Sequence, residues 1–149
     1  MKDIAQQLRA IITATEPKLL RMQDENVKFK PAASEWSKKE ILGHLIDSAA
    51  NNHQRFVRAA ENRAADFPTY DQEQWVRIQR YNEASWSLLV TLWSAYNTHL
   101  SHVIECIPQG AESSPCNVGE EKPVALDFVV KDYLRHLRLH LTDVLEEAL

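Results

Sequence analysis

Glu35–Phe56 reads EWSKKEILGHLIDSAANNHQRF. Within it Ser37-Lys-Lys-Glu40 has the pattern of a capping box, in which a serine hydroxyl caps the first-turn amides while a glutamate three residues later reaches back. The residues beyond it fit an amphipathic helix. Ile41, Leu42, Leu45, Ala49, Phe56 and Ala60 recur at helical spacing and define one apolar side. This helix should run from Ser37 to about Asn62.

The same period appears on both sides of this segment. Ile4, Leu8, Ile11 and Ile12 outline a first helix over Asp3–Met22, with a kink or break expected just before Pro17, which lacks an amide donor and crowds the preceding turn. Residues 23–35 read as a connection. Residues 64–81 are mixed, with Phe67-Pro68 as a breaker and a short helix expected around Trp75. A third long helix follows over Glu83–Ile107, ended by Pro108 and Gly110, then a polar loop over Gln109–Lys122. A last helix begins near Pro123, its core face built from Leu126, Val129, Val130, Tyr133, Leu134, Leu137, Leu141 and Val144. Four helices of about twenty residues, each with one apolar face, predict an all-α four-helix bundle occupying residues 1–149 as a single domain. With roughly twenty residues between the second and third helices, a simple up-down-up-down bundle with short loops is not guaranteed.

Composition agrees. The 149 residues include only three glycines, against roughly ten expected at average usage, and a turn-rich sheet protein needs more. Hydrophobic residues make up 44% and charged residues 26%. The net charge of −4 comes from interspersed acids and bases, without the basic block that a nucleic-acid groove requires. No apolar run approaches the ~20 residues of a membrane span, and the N-terminus lacks a signal-peptide core. These features predict a cytoplasmic protein. Cys106 and Cys116 do not form a CxxC pair and read as reduced thiols.

The chemistry-bearing residues are the histidines. His136 and His140 stand one helical turn apart in DYLRHLRLH, Asp132–His140, on the flank of the apolar face. Such a pair binds a divalent ion only with a further ligand. His44 is the candidate for it, and His53, within the apolar stripe, is the alternative as a ligand or as a packed core histidine. His44 aligns with Ser48, Asn51, Asn52 and Arg55 as a polar stripe: either a solvated face or one wall of a wet pocket, with Asn51 or Arg55 open to a polar substrate. Asp47 reads either as a partner orienting His44 or as a surface carboxylate. Arg55 reads either as a clamp for a carboxylate or as half of a surface ion pair. His99 and His102 receive no role.

The Trp36-Ser37, His44-Leu45 and Asp47 pattern, together with the HxxxH of Asp132–His140, resembles the DinB-like superfamily, in particular its YfiT-like branch. The resemblance implies the unusual helix order of that bundle, with a long crossover between the second and third helices. It implies a metal in a cleft, held by His44, His136 and His140, and in many relatives a homodimer. Gly43 departs from relatives that carry a doubled histidine. The superfamily includes metal-dependent hydrolases and enzymes using low-molecular-weight thiols, among them a mycothiol-dependent isomerase. The expected function is therefore a metal-dependent enzyme acting on a small molecule, its zinc, nickel or iron ion activating water or a thiol. The residues by themselves leave a second reading open: a non-catalytic, stress-related binding or dimerisation module with structural histidines.

Overall fold

The computed structural model describes residues 1–61, 65–119 and 121–148, with the side chains of 65 and 66 left aside. Six α-helices occur among them: α1 (Lys2–Leu20), α2 (Asp24–Lys28), α3 (Lys38–Ala60), α4 (Gln72–Gln79), α5 (Trp86–Cys106) and α6 (Leu126–Leu145). The four long ones form the bundle. Helices α1 and α3 each pack on both α5 and α6, so α1 and α3 occupy opposite corners. Their buried apolar side chains merge into one cluster that includes Leu8, Leu45, Phe56, Trp93, Leu100, Leu137 and Leu141.

Side-chain contacts give the helix directions. Arg9 meets Glu105 and Trp86 meets the Leu19 carbonyl, so α1 and α5 are antiparallel. Gln7 meets Arg138 and Lys18 meets Glu147, so α1 and α6 are parallel. Lys39 reaches Ala84 and His53 reaches Tyr96, so α3 and α5 are parallel. Consecutive parallel neighbours need a connection that returns along the length of the bundle. The long crossover between Ala60 and Trp86, which carries α4, serves that purpose.

The capping box forms as the sequence predicts: Ser37 Oγ accepts from the Glu40 amide at 3.2 Å, and Glu40 Oε2 accepts from the Ser37 amide at 2.8 Å. Such caps stabilise a helix by about 1 kcal/mol. The helix around Trp75 also forms, capped by Asp71. The expected end of α3 at Asn62 lies outside the described residues. Pro17 does not break α1, which continues to Leu20. Leu19 beyond it is buried, and its carbonyl accepts the Trp86 indole N–H at 2.8 Å. Tertiary packing thus outweighs the one amide that proline removes.

Two connections hold more structure than their sequences suggest. Segment 23–35 contains α2, whose Val27 is buried. The 109–122 loop contains β2 (Pro115–Asn117), which pairs in parallel with β1 (Ala65–Asp66) and antiparallel with β3 (Val124–Ala125). This small sheet joins the crossover to the α5–α6 connection, and α6 consequently starts at Leu126 rather than near Pro123. Both cysteines are free, Cys106 exposed and Cys116 buried in β2.

Gly43 accounts for how the crossover seats on α3. A Cβ at this position would overlap the ring of Tyr81, which follows α4 in a 3-10 turn (Tyr81–Glu83). The Tyr81 hydroxyl donates to Asp47 Oδ1 at 2.7 Å, and Gln79 Nε2 donates to the same oxygen at 2.7 Å. Lys39, almost fully buried, adds a second tie by pairing with Asp24 at 2.8 Å and donating to the Ala84 carbonyl at 2.7 Å. A glycine-to-alanine change inside an exposed helix normally stabilises by about 1 kcal/mol. Here Gly43→Ala should destabilise by about 1–3 kcal/mol, the usual range for overpacking. Urea denaturation of Gly43→Ala and of Tyr81→Ala/Gly43→Ala checks this: a stabilised single variant would refute the packing account, and the double variant should recover the clash component.

Candidate metal centre

Helices α3 and α6 run antiparallel, as the pairing of His44 with His136 at one level and of Phe56 with Tyr133 at another requires. His44 thereby enters between His136 and His140. One nitrogen from each of the three rings lies within 4.8 Å of the others. The Nε2 atoms of His44 and His136 are 3.1 Å apart, and each pair of rings meets edge to face.

The environment withholds protons from this cluster. His44 is 1% exposed, and the Trp36 ring covers it with centroids 5.0 Å apart. Trp36 is itself held by its indole N–H donating to Glu73 at 3.1 Å. Burial, reinforced by His136 and His140, pushes the His44 pKa from its usual 6.5 down to about 3. Burial and His140 push His136 down to about 4, against the opposing charge of Asp132. His140 is lowered by burial, with Asp143 opposing. All three rings are therefore neutral at pH 7, each with a lone pair to share.

The donor set fits a divalent cation. Metal–nitrogen bonds of ~2.0–2.1 Å at a tetrahedral angle set ligand nitrogens about 3.3 Å apart, close to the observed separation of His44 and His136. His44 Nε2 and His136 Nε2, which face each other, are the atoms a cation would use, while the Nδ1 atoms of both rings are buried without a hydrogen-bond partner. His140 Nδ1 faces Asp143 Oδ2 at 3.5 Å, which favours a proton on Nδ1 and leaves Nε2 free.

Beside the cluster opens a cleft of about 190 Å³ lined by His44, Ser48, Asn52, Arg55, Tyr70 and His136 on one side. Val129, Asp132 and Tyr133 of α6 also face it. The polar stripe of α3 is thus a pocket wall and not a solvated face, with His44, Ser48 and Asn52 all buried. Asn51 is not part of that wall; its amide donates to the Asp47 carbonyl at 2.8 Å.

The remaining candidates separate from the centre. His53 lies on the α5 side, its Nδ1 3.2 Å from the Tyr96 hydroxyl and its ring beside His99; it is not in the cluster. His102 sits near Cys106 at the surface. Asp47 is 4% exposed, not a surface carboxylate, and its bonds go to Gln79 and Tyr81, with none to His44. Desolvation holds its carboxyl above the usual range. Arg55 is half-buried and pairs with no carboxylate among the described residues. Asp132 and Tyr70 were not singled out by the sequence. Asp132 precedes His136 by one turn, a usable signal, whereas Tyr70 comes from the crossover, where periodicity says nothing.

The sequence matches the DinB superfamily over residues 7–144. No curated protein matches it at a significant level. Among solved structures, it superimposes on YfiT from Bacillus subtilis, described as a probable metal-dependent hydrolase with an unusual four-helix bundle topology. The TM-score is 0.83 at 18% identity, over 97% of this chain and 84% of that one. A mycothiol-dependent maleylpyruvate isomerase aligns with a TM-score of 0.75 at 12% identity, over 97% of this chain and 60% of the isomerase. Identities this low speak to the fold alone. No helix among the described residues is long and apolar enough to cross a membrane. With nearly its whole length matched and its helices arranged as they are, the chain belongs to the DinB superfamily.

Proposed function

We propose that the protein is a metal-dependent enzyme in which His44, His136 and His140 hold one divalent ion, acting on a small molecule by hydrolysis or by transfer of a low-molecular-weight thiol. The observation that carries this reading is the meeting of three neutral imidazoles, one buried and two partly buried, beside an accessible cleft. A divalent ion in such a site supplies Lewis acidity, which lowers the pKa of a water or thiol sharing its open position.

The chain's own residues do the rest. His44, buried under Trp36, fixes one ligand direction. His136 and His140, one turn apart on α6, fix two more without any loop to order. Trp36 covers the His44 ring, and the cleft reaches His44 and His136 from the other side. A nitrogen-only donor set accepts zinc, nickel or iron. The description of YfiT as a metal-dependent hydrolase supports the hydrolytic form, and the mycothiol dependence of the isomerase supports the thiol form. The alternative of structural histidines in a non-catalytic bundle is less well supported. His53 shows what a structural histidine does here, meeting a tyrosine hydroxyl, while His44, His136 and His140 bring one nitrogen each within 4.8 Å of the others.

Protein purified without a histidine tag and equilibrated with zinc should retain about one ion per chain, as a three-ligand site predicts. His136→Ala/His140→Ala should retain none while keeping its far-UV helical signal. Elemental analysis decides: metal-free wild type, or a double variant still loaded, would end the proposal.

The lowered histidine pKa values also set a pH dependence for the metal-free protein. Above about 6.5 the rings are neutral both folded and unfolded, so they contribute no slope. As pH falls below the unfolded value of 6.5, the unfolded chain takes up protons that the folded cluster refuses. Stability should therefore drop between about pH 6.5 and pH 4. Chemical denaturation across this range should show a shallower slope for His44→Gln/His136→Gln; an unchanged slope would contradict the assignment.

A further inference from the structure

We propose that Arg55 forms an anion-binding subsite at the far end of the cleft, so that the substrate is a carboxylate-bearing molecule whose anionic group lies well away from its reacting atom. The position of the reacting atom rests on the metal reading above; the anion site rests on its own residues.

Arg55 is half-buried, and among the described residues it pairs with no carboxylate and makes no side-chain hydrogen bond. That sets it apart from the other arginines. Among the described ones, Arg9, Arg80 and Arg135 each hold a carboxylate, Arg77 donates to Gln74, Arg138 donates to Gln7, and Arg21 and Arg58 are exposed. The groups felt by Arg55 are the Tyr70 phenol and the Cys116 thiol. Burial raises the pKa of both, so neither is a counter-ion at neutral pH. Asp132, on the opposite wall, is engaged by Arg135 at 2.7 Å. A guanidinium withdrawn from water without a partner is unfavourable, and its planar fork matches a carboxylate in two parallel hydrogen bonds.

The location gives this charge a purpose. His44 and Arg55 are eleven residues apart on α3, three turns along the same face, and both line one cleft. Their Cα atoms are ~16 Å apart along the axis, and the arginine side chain spans part of that distance. The cleft therefore selects for separation between anion and reacting atom. Between the two ends lie Ser48 and Asn52, whose amide donates to the Ser48 carbonyl at 2.9 Å, leaving a wall that is polar and uncharged.

Thiols make convenient reporters because they bind cobalt with a visible sulfur-to-metal band. Cobalt-loaded protein should bind 6-mercaptohexanoate about tenfold more tightly than 6-mercaptohexan-1-ol, the scale of one charge-assisted hydrogen-bonded pair. Arg55→Gln should abolish that preference without weakening the alcohol, and Arg55→Lys should keep part of it. Equal affinities in the wild type, or a preference that survives Arg55→Gln, would overturn the proposal. In parallel, metal-free protein is titrated with hexanoate and with hexan-1-ol while the Arg55 side-chain N–H signal is followed by NMR, assigned by its loss in Arg55→Gln. A saturable shift with hexanoate alone supports the subsite, and no shift refutes it. Absence of the cobalt band with both thiols counts against the metal centre, and the NMR titration then decides on Arg55.

Discussion

Partial dehydration of three clustered imidazoles is the constraint on which the candidate centre depends. A histidine pair one turn apart on a solvated helix would titrate near 6.5 and spend its ring nitrogens on water. Here α6 turns that pair toward α3, leaving both rings only partly exposed, and His44 closes the gap from the other side. Removing water works against protonation of each ring, and each ring's proximity to the others works in the same direction. The result is a set of neutral donors at neutral pH, with no charge repulsion to overcome before a cation arrives. None of this follows from either helix alone; it needs α3 and α6 antiparallel and in one particular register.

That register is held from outside the centre. The capping box starts α3 at a defined residue, and the buried Lys39 ties its first turn to α2 and to the end of the crossover. One turn beyond Lys39, Tyr81 lies against Gly43 and bonds Asp47. His44 thus sits between anchored positions on a helix pinned along the face that flanks its ring. The crossover is long because α3 and α5 are parallel, and its length provides the material, α4 and the 3-10 turn, that does the pinning. Topology and site are in this sense the same problem: the connection that a parallel pair requires also fixes the ligand-bearing helix.

The sequence made the helices legible because burial on one face imposes a 3.6-residue period, and α3, α5 and α6 each carry it. It made the histidine trio legible because HxxxH fixes two ligands locally and a family pattern pointed to the third. What it hid has a common cause. Val27, Tyr70 and the strand at Cys116 belong to segments whose burial is set by distant neighbours and leaves no period to read. Pro17 misled in the opposite sense, since its local penalty was clear and the Leu19 and Trp86 packing that outweighs it was not. Asp47 misled because a carboxylate on the polar flank of a helix looks solvated until its donors, Gln79 and Tyr81, arrive from more than thirty residues away. Gly43 looked like a departure from family relatives, and its reason is steric: the tyrosine ring occupies the space a side chain would need.

Charge balance connects the two ends of the cleft. The imidazole trio contributes no negative charge, so a bound divalent ion would bring its full positive charge into a partly dehydrated space. Arg55 adds one more at the other end, again without a counter-ion among the described residues. Asp132 answers only in part, because Arg135 already engages it. With a divalent ion held by the trio, the cleft would be electropositive at both ends, a field that attracts anions. On the reading proposed above, the complement of such a cleft is a molecule carrying negative charge twice, once where a proton would be lost at the centre and once at a permanent anion. Selectivity in such a cleft comes from the spacing between the two, which α3 sets as a rigid ruler between His44 and Arg55.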